Sequence, residues 1–387
     1  MGLNYSAESI LATVGFEDEG ADTVDTEINT VVADNEKAVE EGGEDAAIID
    51  SEVVDIVQDP EATDEVIAEE AMNCLNHLNA IDVAFELKGK YVWGTEGYEI
   101  SKEVEEATDA EVKSIMKEKD KKFLGWTTLT LRRIKNMIFK QKDKAASLLS
   151  KYNENKERLD ENTKMKVIDL NGKSINDLIK NTIQTLETIE KTRLAFAKKI
   201  GGYFGRLKEE GEARVDINRE IREEYQEFSA YLSKFSEARG GGDESKAFSG
   251  VGKGLMGIST TALLNNMITT NLLRAITTRR VEMTLKKRGV DSVLESVRQL
   301  STGKSALNNV HPYINDLKVV NFGSSLKVMF GGFLGSIWRL FSGLATKCVS
   351  INAKAIMTKQ QIIQELIYVV ERAEAENMKF LSKALHG

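Results

Sequence analysis

The spacing of apolar residues predicts a chain made mostly of helices. Between Val66 and Ile81 apolar residues return every three or four positions, which is the period of an amphipathic helix. The same period predicts helices at 101–119, 126–155, 175–200, 215–239, 255–287, 291–300 and 351–385. Prolines interrupt the chain at two positions, Pro60 and Pro312, so long helices are permitted. The expected fold class is therefore mainly α, a bundle of long helices.

Shorter patterns predict where these helices begin and end. Asp59-Pro60-Glu61 combines an acidic cap with proline in the first turn, which favours a helix from here to about Leu87. The aromatic stretch at 88–101 predicts a small hairpin, and 165–170 and 317–320 predict extended pieces. The glycine pair at 201–202 predicts the end of a helix there. One or two small β-hairpins are thus expected within the bundle.

Charge divides the chain into two unlike parts. Residues 1–65 contain 20 acidic side chains and one basic side chain, so they carry −19, whereas residues 66–387 carry +10. Such an asymmetry is more informative than the overall charge of −9. We expect a flexible acidic arm that masks or counterbalances a basic body.

The predicted organisation has four parts. The acidic arm at 1–65 includes a short amphipathic segment at 5–16, and a first helical part follows at 66–239. The glycine-rich stretch at 240–254 is the expected hinge. The second helical part, 255–387, contains an apolar, glycine-rich segment at 322–348.

Motifs for catalysis are weak throughout the chain. Gly172-Lys173-Ser174 and Gly303-Lys304-Ser305 resemble the end of a phosphate-binding loop, but Val167 and Arg298 stand where that loop needs glycine. Cys74 and His77 share the spacing of metal ligands without further ligands nearby. We therefore expect no enzyme activity, no catalytic residue, no metal and no cofactor.

Clusters of basic residues give the chain its candidate binding chemistry. Lysine and arginine on helices neutralise phosphates without reading base sequence. The candidate polyanion-binding residues are Lys121, Lys122, Arg132, Arg133, Lys140, Lys142, Lys144, Arg279, Arg280, Lys286, Lys287 and Arg288. An ordinary charged surface that balances nearby glutamates is the alternative interpretation.

The apolar segment at 328–344 is a candidate interface. Its bulky residues alternate with glycines, which let helices approach closely, and its apolar run is too short to span a bilayer. Burial in the core or in a partner interface is the first interpretation, and an interfacial membrane helix is the second. The residues concerned are Phe330, Phe333, Ile337, Trp338 and Phe341.

A short amphipathic segment, an acidic arm and a basic helical body follow one another in this chain. This order resembles that of the internal head or prohead-core proteins of large tailed bacteriophages. The resemblance implies an arm that targets the capsid and is removed after a glutamate preceded, two places earlier, by a small or aliphatic residue. The candidate processing sites are then Glu40, Glu69 and Glu103.

The resemblance implies a non-enzymatic structural protein inside the virion, present in the host cytoplasm during assembly. Its expected partners are capsid or other virion proteins, packaged double-stranded DNA and a second copy of the chain. Two alternatives stay open. One is a membrane-surface interaction protein that uses 328–344, and the other is a cellular helical adaptor whose acidic tail is autoinhibitory.

Overall fold

The computed structural model describes residues 55, 56, 59, 61–92, 102–170, 174–209, 214–236, 270–317, 329 and 334–386. Nine α-helices and one two-stranded sheet account for the longer regular elements in these ranges. They are α1 (Asp64–Val92), α2 (Lys102–Glu154), β1 (Lys164–Ile168), α3 (Ile175–Glu209), α4 (Arg214–Ser236), α5 (Thr270–Thr278), β2 (Arg280–Thr284), α6 (Leu285–Arg288), α7 (Val290–Ser301), α8 (His311–Asp316) and α9 (Leu334–His386). The expected mainly helical fold is confirmed.

Helix α9 forms the centre of the bundle. It has 53 residues and packs against α1, α2, α3, α4, α5 and α7. Most side chains between Cys348 and Val370 are buried, and Ile362, Ile363 and Leu366 have no exposed surface. A helix surrounded in this way cannot turn its polar residues to water, so they need partners inside the bundle. Helices from both predicted parts of the body share this core.

The helices around α9 present one apolar face each. On α1, Ile67, Ala71, Cys74 and Leu78 recur at intervals of three or four and are at most 1% exposed. Helices α3 and α4 run antiparallel, because Lys199 pairs with Glu224 at 2.8 Å and Arg206 pairs with Glu220 further along α3 at 2.6 Å. Amphipathic periodicity thus accounts for the way these helices pack.

The sheet joins distant parts of the chain. Strand β1 pairs antiparallel with β2, and Met165 lies opposite Met283 while Val167 lies opposite Val281. These four residues pack in a second apolar cluster where the C-terminal ends of α2 and α9 meet α6 and α7. Its buried members are Ala145, Leu148, Tyr152, Val167, Leu285, Val293, Leu294, Val297, Leu300, Phe380, Leu381 and Ala384.

Several predicted helix boundaries are wrong. One continuous α2 covers the two helices predicted at 101–119 and 126–155, and α3 continues through Gly201-Gly202 to Glu209. Helix α1 begins at Asp64, after Thr63, whose hydroxyl accepts a hydrogen bond from the amide of Val66 at 3.4 Å. It ends at Val92, so the first part of the hairpin predicted at 88–101 is helical.

The predicted strands are right in one case and wrong in another. The extended piece predicted at 165–170 is β1, but its partner β2 lies inside the helix predicted at 255–287. Pairing with β1 satisfies the backbone there and places two apolar residues on the second core. The segments predicted at 5–16 and 240–254, and the one at 317–320 apart from the buried Leu317, lie outside the described residues.

Candidate nucleic-acid interface

The predicted cations of α2 lie in different environments. Lys121 is half-buried and Lys122 is 9% exposed, so Lys122 is not placed to meet a polyanion from solvent. Arg133 donates to Glu371 on α9 at 3.3 Å. These residues therefore contribute mainly to the packing of α2 within the body.

Arg132 holds the chain that leads into α1. One terminal nitrogen of its guanidinium donates to the carbonyl of Ile56, and the other donates to the carbonyl of Asp59. Ile56 itself packs against the main core. The last part of the acidic arm is therefore fixed on α2 by main-chain contacts as well as by apolar packing.

Asp64 continues this contact along the same helix. Its carboxylate accepts a hydrogen bond from the Asn136 amide at 3.2 Å and pairs with the ammonium of Lys140. The hydrogen bond to Asp64 raises the pKa of Lys140, and the charge of Glu65 acts in the same direction. We call Arg132, Asn136 and Lys140 the α2 stripe, since they recur every four residues and all bind the segment before or at the start of α1.

The arginines of the second predicted cluster face the protein itself. Arg279 lies 3.4 Å from the carboxylate of Asp169, and Arg280 pairs with Glu376 on α9. Arg288 is partly buried, and burial lowers its pKa. These three arginines therefore tie the sheet and its neighbours to the body.

Four predicted lysines remain exposed, and no ion pair to them is found within the described ranges. Lys142 and Lys144 lie on α2 three positions and one position before Ala145, and Lys286 and Lys287 follow Leu285 on α6. Ala145 and Leu285 belong to the same apolar cluster, so the four lysines lie on two helices that pack at this cluster. We call Lys142, Lys144, Lys286 and Lys287 the lysine surface.

The candidate processing sites differ in accessibility. Glu69 is exposed, but it lies in α1 two residues after Ile67, which is fully buried in the core. Glu103 is the second residue of α2, and Glu40 lies outside the described residues. Proteases favour exposed loops, so cleavage at Glu69 or Glu103 requires a helical turn to open first.

The candidate apolar interface falls largely outside the described side chains. Ile337, Trp338 and Phe341 belong to α9, although their side chains are not among those described, and Phe330 and Phe333 lie outside the described residues. Met329, in the same segment, is buried. Across the described ranges, no helix has the length and apolar character needed to cross a bilayer.

A buried charged cluster between α3 and α9 was not predicted. Arg193 donates from Nη1 to Asn352 Oδ1 at 2.9 Å and from Nη2 to Glu190 Oε1 at 2.5 Å. Lys359, whose side chain is 1% exposed, donates to the other oxygen of Glu190. Two cations thus share one carboxylate inside the bundle.

The same contacts set the protonation of this cluster. Burial by itself raises the pKa of Glu190, but Arg193 and Lys359 act against burial and lower the pKa overall. Burial lowers the pKa of Lys359, and the charge of Glu190 opposes that change. The cluster is a structural centre, because its charged groups pair with one another. Its residues are separated by up to 169 positions, so the sequence carries no local signal for it.

The second lysine-containing glycine motif has a structural role. Gly303 ends α7 with a φ of 76°, a conformation that favours glycine, and its amide donates to Leu300 at 2.8 Å. Ser305 donates to the buried carboxylate of Glu374 at 2.8 Å, and the Ala306 amide donates to it at 2.7 Å. Burial raises the pKa of Glu374.

Among the described side chains, no group of three or more His, Cys, Asp or Glu residues is placed to bind a metal ion. Cys74 is buried in the core, and His77 is exposed. A scan against protein-family models finds no matching family, and searches of curated proteins and of solved structures find no significant match.

Proposed function

We propose that this protein is a non-enzymatic structural protein of a phage head, in which the helical body binds packaged double-stranded DNA without sequence preference. In this proposal the acidic arm directs the protein into the assembling capsid and keeps the body from binding nucleic acid too early. Capsid proteins and a second copy of the chain are the further partners.

The observation that carries the proposal is the lysine surface. Lys142, Lys144, Lys286 and Lys287 are exposed on two helices that pack at the second apolar cluster, and no partner for their charges lies among the described residues. Unpaired lysines on rigid helices neutralise phosphates and release counterions, which makes binding depend on salt but not on base sequence. A protein that coexists with packaged DNA does not need side chains that bind the edges of the bases.

The distribution of charge supports the same proposal. Residues 1–54 contain 15 acidic side chains and one basic side chain, so a chain that starts at Asp55 carries +5 instead of −9. An acidic arm repels a polyanion over about one Debye length, about 10 Å at 0.1 M salt. Loss or displacement of the arm would therefore favour DNA binding by the body.

Paired lysine variants test this proposal in the chain that starts at Asp55, which retains every described residue. Binding to duplex DNA is measured by fluorescence anisotropy at several salt concentrations. Replacing Lys286 and Lys287 with Gln should reduce the slope of log affinity against log salt by about 1.8, because each phosphate contact contributes about 0.9. Replacing the exposed Lys117 and Lys180 changes the net charge equally but should leave the slope nearly unchanged. Equal effects of the two pairs, or no binding by the parent, would contradict the proposal.

A further inference from the structure

We propose that the α2 stripe is a phosphate-binding site for double-stranded nucleic acid, and that the end of the acidic arm occupies this site in competition with the nucleic acid. The inference rests on the proposed function and specifies where the arm acts on the body. It concerns the described contacts of residues 55–64 with α2.

The groups bound by the stripe have the chemistry of phosphate oxygens. Arg132 places its two terminal nitrogens on two carbonyl oxygens, and a guanidinium fork of this kind also matches two oxygens of a phosphate. Asn136 and Lys140 both donate to the carboxylate of Asp64. Arginine, lysine and asparagine are all donors to the DNA backbone, and they bind phosphate oxygens with the same groups.

The geometry of the stripe favours an extended polyanion. Its residues recur at intervals of four, which corresponds to steps of about 6 Å along the helix axis. Lys144 is the next residue in this series, and it is exposed beyond the contact with Asp64. The stripe therefore leads from the segment before α1 to the lysine surface. The arm covers only one end of a continuous row of donors.

The polar part of this contact is suited to exchange, and release of the segment also requires Ile56 to leave the main core. The Lys140 side chain is 59% exposed where it pairs with Asp64, and an exposed ion pair adds little to stability. Arg132 binds main-chain carbonyls, so it holds the segment without requiring particular side chains at the positions bound. A polyanion already held at the lysine surface has a high local concentration next to the stripe. Displacement of the segment then frees two cations for phosphate contacts.

Variants of the full chain test the competition. Asp64→Asn removes the charge that neutralises Lys140, whereas Glu69→Gln changes the net charge equally at an exposed position of the same helix. Asp64→Asn should steepen the salt dependence by about 0.9 and raise the affinity for a duplex of about 30 base pairs about eightfold at about 0.1 M salt. Glu69→Gln should leave the slope unchanged, and Asp64→Asn with Lys140→Gln should return it to the parent value.

Arg132→Lys gives an independent variant, because lysine keeps the charge but cannot hold two carbonyls in a fork. It should steepen the salt dependence as Asp64→Asn does, because the released segment leaves a lysine that still makes one phosphate contact. Hydrogen exchange of the parent supplies a measurement that needs no substitution: added duplex should accelerate exchange of the amides at 61–67 by releasing the segment.

The outcomes separate the two proposals. DNA binding by the parent with unchanged slopes in Asp64→Asn and Arg132→Lys, and with unchanged exchange at 61–67, would overturn the competition and leave the proposed function standing. Failure of the chain that starts at Asp55 to bind the duplex at low salt would overturn the proposed function and the competition together.

Discussion

Replacing Glu190 tests whether the buried charges between α3 and α9 hold the bundle together. Glu190→Gln keeps the size of the side chain but removes the one negative charge that Arg193 and Lys359 share. Removing one partner of a buried ion pair costs about 3–5 kcal/mol, because the remaining charge is left without compensation. The Glu190 side chain is 26% exposed, so water can partly take its place. We therefore expect a loss at the lower end of that range, about 3 kcal/mol.

Urea unfolding followed by far-ultraviolet circular dichroism measures this loss at neutral pH. Glu223→Gln is the matched control, since Glu223 pairs with Arg219 at 4.0 Å on the surface, where the side chains are 64% and 68% exposed. The control should cost less than about 0.5 kcal/mol. A loss for Glu190→Gln no larger than that of the control would show that the buried charges do not stabilise the bundle.

The pH dependence of the same variant has a defined sign. Burial alone would raise the pKa of Glu190, but the two cations lower it overall, so the ionised form stabilises the folded state. This contribution is present above the ordinary carboxyl pKa of about 4.3 and is lost as the pH falls through the lowered value. The difference in unfolding free energy between parent and Glu190→Gln should therefore shrink below about pH 4.

Variants at three further residues test separate features by the same unfolding assay. Trp126 is fully buried, and its indole nitrogen has no hydrogen-bond partner among the described residues. Trp126→Ala should therefore lower the unfolding free energy by about 3–5 kcal/mol, and Trp126→Phe should lower it clearly less. Equal losses for the two variants would contradict this expectation. Burial raises the pKa of Glu374, so the protonated side chain stabilises the folded state. This contribution to stability is full below the ordinary carboxyl pKa and is lost as the pH rises through the raised value. Glu374→Gln should thus be at least as stable as the parent at pH 7 and lose this advantage near pH 4, whereas a marked loss at pH 7 would mean that hydrogen bonds to the carboxylate outweigh its burial. Phe139 is 56% exposed, so Phe139→Ala should change stability by less than about 0.5 kcal/mol, and a loss comparable with that of Trp126→Ala would show that its ring is covered.

Much of the helical fold could be predicted from the sequence because the signal is local. The recurrence of Ile67, Leu75 and Leu78 depends only on the helical period, and these residues are buried as expected. Val66 and Met72 belong to the same predicted pattern but are exposed. Strand β2 could not be predicted, since Arg280–Thr284 is extended only where it pairs with a strand far away in the chain. The first turn of α1 likewise depends on a distant residue, Arg132, which binds the chain just before it.

The candidate site shows the same division between local and distant information. The basic clusters are visible as runs of lysine and arginine, but the sequence does not tell which of them are neutralised within the fold. Arg280 pairs with Glu376 and Arg132 donates to backbone carbonyls, whereas Lys286 stays exposed. Lys359 resembles any surface lysine in the sequence, and only the packing of α9 buries it.

Restraint of the basic body by the acidic arm is tested most directly by comparing the duplex affinity of the full chain with that of the chain starting at Asp55 over a range of salt concentrations. We expect tight, strongly salt-dependent binding by the shortened chain and much weaker binding by the full chain at low salt, with the difference disappearing as salt screens both charges. Equal affinities of the two chains at low salt, or no binding by the shortened chain, would contradict it.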